Sequence, residues 1–198
     1  MTIAWTHFQS NADRARSLVG LYEANQALFA PVLNSDDVLR SALVAIISAL
    51  DAYIHQRCRE NLLDTFSGTR VEASGFKQFQ LSGSTVKAYI AGDMNTAILD
   101  SAIYEKLGWQ AFQMPDKIAD VWRLTSDIKL WNTVAAGLGE SPEIVKAKLK
   151  LIVDRRNSIV HEGDMRPDAV GELWPINSVQ VTDNINFVSS VVEELDKL

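Results

Sequence analysis

The residues best equipped for chemistry lie close together. They are Asp154-Arg155-Arg156-Asn157 and, after three intervening positions, His161-Glu162-Gly163-Asp164. An arginine can give a phosphate two parallel hydrogen bonds and can stabilise charge that develops on it. A histidine can take a proton from a nucleophile or return one to a leaving group. An amide beside them can orient an imidazole or bind a phosphate oxygen. These are parts for phosphate chemistry.

One helix is expected to carry them. Ser141-Pro142-Glu143 marks its start, with a hydroxyl to cap free N–H groups, a proline where a missing N–H costs nothing, and an acid in the first turn. The helix is expected to run to His161, and Gly163 ends it. On a wheel with Val145 at zero, Leu149, Ile152, Ile159 and Val160 fall within about 60°, and Arg156 falls at about 20°. Arg156 therefore sits inside the apolar stripe. A guanidinium keeps its charge, so this position calls for an acidic partner, a subunit boundary or a cleft. Asp154, Asn157 and His161 share another face at i, i+3 and i+7. A plainer reading competes with this one. Histidines near helix C-termini complement the dipole, paired arginines often lie on solvated faces, and Arg-x4-His is a short pattern.

Several other elements must position this helix. Helical spacing runs from Trp5 to about Phe29 and stops at Pro31. A clearer helix opens at Ser35-Asp36-Asp37 and carries Leu39, Leu43, Ile46, Ile47, Leu50 and Ile54 on a core face. Asp51 lies at the edge of that face, with Ser48 and His55 at i−3 and i+4. It suits either a buried structural hydrogen bond or, if the two helices touch, the orienting of Arg156 or His161. His55 suits the surface equally well.

Between Ser67 and Gly92, four glycines interrupt a stretch that still holds Phe76, Phe79 and Leu81, which predicts an ordered, irregular excursion. Helical spacing returns over 93–107. It returns again over 115–134, where Ile118, Val121, Trp122, Ile128 and Trp131 form a stripe closed by Gly137 and Gly139. A loop with Pro167, Gly171 and Pro175 precedes a last amphipathic helix bearing Ile185, Val188, Val191, Val192 and Leu195. Val179 to Val181 reads as a short extended piece. An all-α bundle follows, one domain over residues 1–198.

Composition sets the outer limits. The 198 residues are 47% hydrophobic and 22% charged, enough for a self-supporting core and far from disordered or low-complexity chains. The longest apolar run, Ala42 to Ile47, is far short of the roughly 20 residues of a membrane span, so no membrane association is expected. No signal-peptide pattern opens the chain, and Cys58 has no partner for a disulfide, so a cytoplasmic location is expected. Net charge is −6, which argues against a surface built to wrap duplex nucleic acid. The charge is uneven, since basic residues crowd Lys146 to Arg156 and acidic ones dominate from Glu162 onward.

Three histidines and one cysteine form no zinc pattern. Gly83-Ser84-Thr85 and Gly137-Leu138-Gly139 are not phosphate loops, and no Gly-x-Ser-x-Gly elbow occurs. Neither a metal nor a cofactor is expected. Trp122 and Trp131 belong to the core rather than to base stacking. Lys146, Lys148 and Lys150 spread around a helix, as a solvated face or as an RNA-backbone track.

The segment from Ser141 to Asp164 resembles the HEPN superfamily of all-α proteins, whose signature is Arg-x4–6-His late in the chain, often with a polar residue after the arginine. Here those residues are Arg156, Asn157 and His161. The stretch 115–164 is most similar to the RiboL-PSP-HEPN branch, and Asp51 matches an early acid found in many catalytic members. Arg155 also satisfies the looser spacing. Arg156 is preferred for its place on the wheel and for the asparagine that follows it.

The resemblance implies an HEPN-like helical bundle with an irregular insertion around residues 67–92. It also implies a metal-independent endoribonuclease acting on RNA as a homodimer, deployed as a toxin or in phage defence beside an antitoxin or other partner. Such chemistry needs one group to deprotonate the 2′-hydroxyl and another to protonate the 5′-oxygen. A two-fold pair would bring two histidines and two arginines to one cleft. The alternative is a non-catalytic helical interaction module in which the same arginine anchors a protein interface.

Overall fold

The computed structural model describes residues 2–29, 35–92 and 94–198. Among these residues eight α-helices follow one another: α1 Ile3–Phe29, α2 Asp36–Phe66, α3 Gly83–Ala91, α4 Thr96–Leu107, α5 Pro115–Trp122, α6 Leu130–Leu138, α7 Pro142–Glu162 and α8 Ser178–Asp196. Among the described residues there is no sheet, only an isolated antiparallel bridge between Met165 and Leu173. The all-α expectation holds. Pro31, the expected stop of the first helix, lies outside the described residues.

Helix α2 is the axis of the bundle, packed by α1, α4, α5, α7 and α8. Its predicted core face is real, for Leu39, Leu43, Ile46, Ile47, Leu50 and Ile54 are all buried. Each such side chain contributes about 1.5–3 kcal/mol by leaving water. Run length alone understated how apolar this helix is. By length and composition α2 could cross a membrane, and more than half of its most apolar window is buried inside the protein. No large apolar side chain of α2 is exposed, so the bundle itself accounts for that apolarity.

Two expectations need correction. The stretch 115–134 is not continuous but breaks between α5 and α6. There the Thr125 N–H and hydroxyl both bond the Trp122 carbonyl, and Ile128, on the predicted stripe, is exposed. Trp122 and Trp131 are buried as expected, and the Trp131 indole N–H donates to the Pro115 carbonyl at 2.9 Å. Val179–Val181 is not extended. It lies in the first turn of α8, where the Asn177 side chain accepts from the Gln180 N–H at 2.8 Å and starts the helix two residues earlier.

The 67–92 excursion is ordered, and α3 occupies its second half. Its first half is tied down by the α5–α6 connection: Arg70 Nε donates to the Thr125 carbonyl at 3.1 Å, and the Ser74 N–H donates to Asp127 at 3.0 Å. Hydrogen bonds from Ser74 hold the Asp127 carboxyl below its ordinary range. Gly75 passes so close that a Cβ there would meet the Arg123 carbonyl oxygen at 2.2 Å. Phe66 stacks edge-on with Phe76 and Phe79 beneath it.

Candidate active-site cleft

Helix α7 begins and ends where its punctuation residues place it. The Ser141 hydroxyl accepts from the Ile144 N–H at 3.3 Å, Pro142 takes the first turn, and Gly163 closes the helix at φ +64°. Asp164 follows at φ +59°, a left-handed conformation that aspartate tolerates better than most residues. Two left-handed residues in succession turn the chain back, so that the Asp164 carboxylate tucks beneath the helix it has just left.

There it meets Arg155. Asp164 is 1% exposed and takes Nε of Arg40 at 2.7 Å and Nη2 of Arg155 at 2.8 Å. Arg40 and Arg155 also donate to the Trp174 carbonyl, at 2.9 and 3.2 Å. Burial pulls the Arg155 guanidinium below its ordinary range, Asp164 holding it up and Arg40 adding to the fall. One buried carboxylate thus ties α2, α7 and the loop after α7 together. Arg155 is committed to that contact.

Arg156, one residue on, makes no ion pair among the described residues. Its Nη1 donates to Asn157 Oδ1 at 3.1 Å, and its Nε is buried without a partner. The side chain enters a cleft of about 410 Å³, shared with Asp51, His55 and Arg59 of α2, Tyr104 of α4, and Gln113. Of the three situations that a charge on an apolar stripe can occupy, the single chain supplies the cleft.

The residues on the α2 side hold the connection before α5. Asp51 Oδ1 accepts from the Phe112 N–H at 2.6 Å, and His55 Nε2 donates to the Gln110 carbonyl at 3.0 Å. The His55 ring also lies 4.6 Å from that of Phe112. Arg59 Nε is 3.0 Å from Asp100, with its guanidinium 5.9 Å from the centre of the Tyr104 ring. Gln113 is buried, and its side-chain amide makes no hydrogen bond among the described residues.

Asp51 and Arg156 therefore meet at one cleft, with Asn157 against Arg156. Asp51 accepts from the Phe112 N–H rather than bonding Arg156 or His161. His161 is exposed in the last turn of α7 and lies outside the residues that line the cleft. Asn157 gives its carbonyl oxygen to Arg156, not to the imidazole. His55, Arg59, Tyr104 and Gln113 complete the cleft without having stood out as a group in the sequence. The i, i+4 spacing put His55 beside Asp51, but no local signal marked Gln113. The lysines of α7 do not form one track, for Lys150 pairs with Asp154 at 2.5 Å and Lys148 lies over the Phe187 ring at 4.4 Å. Among the described residues, no three of His, Cys, Asp and Glu come together as a metal-ligand set.

An all-α bundle with an unpaired arginine in a cleft, beside an Arg-Asn-x3-His helix end, defines a HEPN-type protein. The model of the RiboL-PSP-HEPN family matches residues 9–198, and the chain belongs to that family. No curated protein and no solved structure matches it.

Proposed function

We propose that this protein is a metal-independent endoribonuclease that cuts RNA by attack of the 2′-hydroxyl on the adjacent phosphate. The observation that carries the reading is Arg156, a permanent cation at a cleft, with a buried, unpartnered Nε and no ion pair among the described residues. A guanidinium held this way is prepared for a phosphate and for the charge that grows on it in the transition state.

His161 supplies proton transfer, and Asn157 holds the guanidinium in place. About 140° of helix rotation separates Arg156 from His161, which sets them on different faces of α7 within one chain. A second copy related by a two-fold axis beside the ends of the two α7 helices would bring both His161 and both Arg156 side chains to one shared cleft and complete an acid–base pair. The new 2′-O–P bond forms as the P–O5′ bond breaks. One histidine takes the 2′-proton, the other protonates the 5′-oxygen, and the products carry a 2′,3′-cyclic phosphate and a 5′-hydroxyl. Family membership also supports a setting in toxin–antitoxin or phage-defence systems.

The interaction-module reading draws on one observation of its own. Ile144 and Leu151, seven residues apart on α7, are both exposed. Host growth separates the two readings: induced wild-type protein slows growth and His161→Ala does not, whereas a scaffold treats both alike.

The direct test incubates end-labelled RNA with purified protein in EDTA. Wild type is expected to cut RNA to 2′,3′-cyclic phosphate ends, to leave an all-DNA analogue intact, and to lose activity with His161→Ala. Cutting of the DNA analogue, or complete dependence on added Mg²⁺, overturns the reading.

A further inference from the structure

Resting on the ribonuclease reading, we infer that the Arg156 cleft is a base-selective nucleotide pocket, in which Gln113 reads the edge of one RNA base, Tyr104 stacks on its face and Arg156 holds its phosphate. Three features converge there. The Arg156 Nε is buried without a partner. Gln113 is 9% exposed and lines the cleft, and its amide makes no hydrogen bond among the described residues, so its donor and its acceptor are both free for a ligand. Tyr104 is 64% exposed and lines the same space, with the Arg59 cation close to its ring.

A nucleotide answers all three at once. Its phosphate suits a guanidinium. Its flat ring suits an exposed aromatic face, a contact that every base can make. Its edge presents donor and acceptor side by side, as a glutamine amide does, and such pairs distinguish one base from another. A cleft of about 410 Å³ falls within the range of pockets for small organic ligands.

Asp51 and His55 acquire a purpose in this arrangement. Both grip the backbone just before Gln113, one through the Phe112 N–H and the other through the Gln110 carbonyl. The amide is thereby held in place before RNA arrives, and less ordering is left to oppose binding. They are positioning residues for the reader.

The test measures binding of 2′-O-methyl octanucleotides of adenine, cytosine, guanine and uracil, which lack the attacking hydroxyl, by fluorescence anisotropy. Wild type is expected to favour one base over the other three. Gln113→Met, close in volume, is expected to erase that preference by weakening the favoured oligomer about tenfold. Tyr104→Ala, at a residue 64% exposed, is expected to weaken all four about tenfold and keep their ranking. Equal binding of all four by wild type, or a preference that Gln113→Met leaves unchanged, overturns the pocket. If Gln113→Met does not fold, unchanged affinities in Tyr104→Ala overturn it instead. A Gln113-dependent preference in a protein that never cuts RNA upholds the pocket and removes the ribonuclease. Cutting with a preference that ignores Gln113 does the reverse.

Discussion

Arg155 and Arg156 are neighbours on one helix and live in opposite circumstances. Arg155 reaches a buried carboxylate that Arg40 also binds, and it donates to two backbone carbonyls. Arg156 has one side-chain amide for company and a buried nitrogen with no partner among the described residues. The first arrangement satisfies its charges and fastens the fold. The second leaves hydrogen-bonding capacity unspent at the wall of a cleft, which is what recognition of an anion requires. A double arginine thus divides its labour over the about 100° of rotation between consecutive helical residues.

The largest effect is expected where charge is buried. Asp164→Ala leaves Arg40 and Arg155 without their carboxylate and should cost about 3–5 kcal/mol in urea unfolding. The folded fraction should still cut RNA. A loss below 1 kcal/mol (~0–1, the range of surface pairs) would put the carboxylate in solvent and erase the contrast.

Next comes Arg156→Ala, expected to lower RNA cleavage about 10²–10³-fold, the scale of losing one transition-state donor. Its stability should change by less than about 1 kcal/mol, since no ion pair is broken. Equal losses of stability in Arg156→Ala and Asp164→Ala would contradict the division.

Smaller effects sharpen the comparison. Ser141→Ala removes the cap of the helix that carries both arginines, and should cost about 1 kcal/mol without favouring either side. Burial pushes the Cys58 thiol up to about 12, so at pH 8 a thiol reagent should label it only when the molecule opens. Labelling should quicken in Asp164→Ala and match wild type in Arg156→Ala.

Much of this contrast is legible in the sequence. The ends of α7 were marked by Ser141-Pro142 and Gly163, because caps are local chemistry, and the apolar spacing of α2 was long enough to identify its buried face. The position of Arg156 on the stripe pointed to a cleft among other options. The rest depends on residues far apart in the chain. Asp51 meets Phe112 and Arg40 meets Asp164 through contacts that no periodicity encodes. Ile128 kept helical spacing although the helix had already broken at Thr125. Val179–Val181 is helical because the Asn177 side chain caps the Gln180 N–H and starts α8 there. Gln113 carried no pattern, since an isolated amide is informative only once its surroundings leave it unpaired.

The most direct measurement compares Arg155→Lys with Arg156→Lys for thermal unfolding and for cleavage of end-labelled RNA in EDTA. Lysine keeps the charge and loses the planar fork, so each variant tests geometry rather than sign. The account predicts that Arg156→Lys melts like wild type and loses cleavage, whereas Arg155→Lys melts earlier and its folded molecules cut at the wild-type rate. Normal cleavage by Arg156→Lys, together with its loss in a stably folded Arg155→Lys, would contradict it.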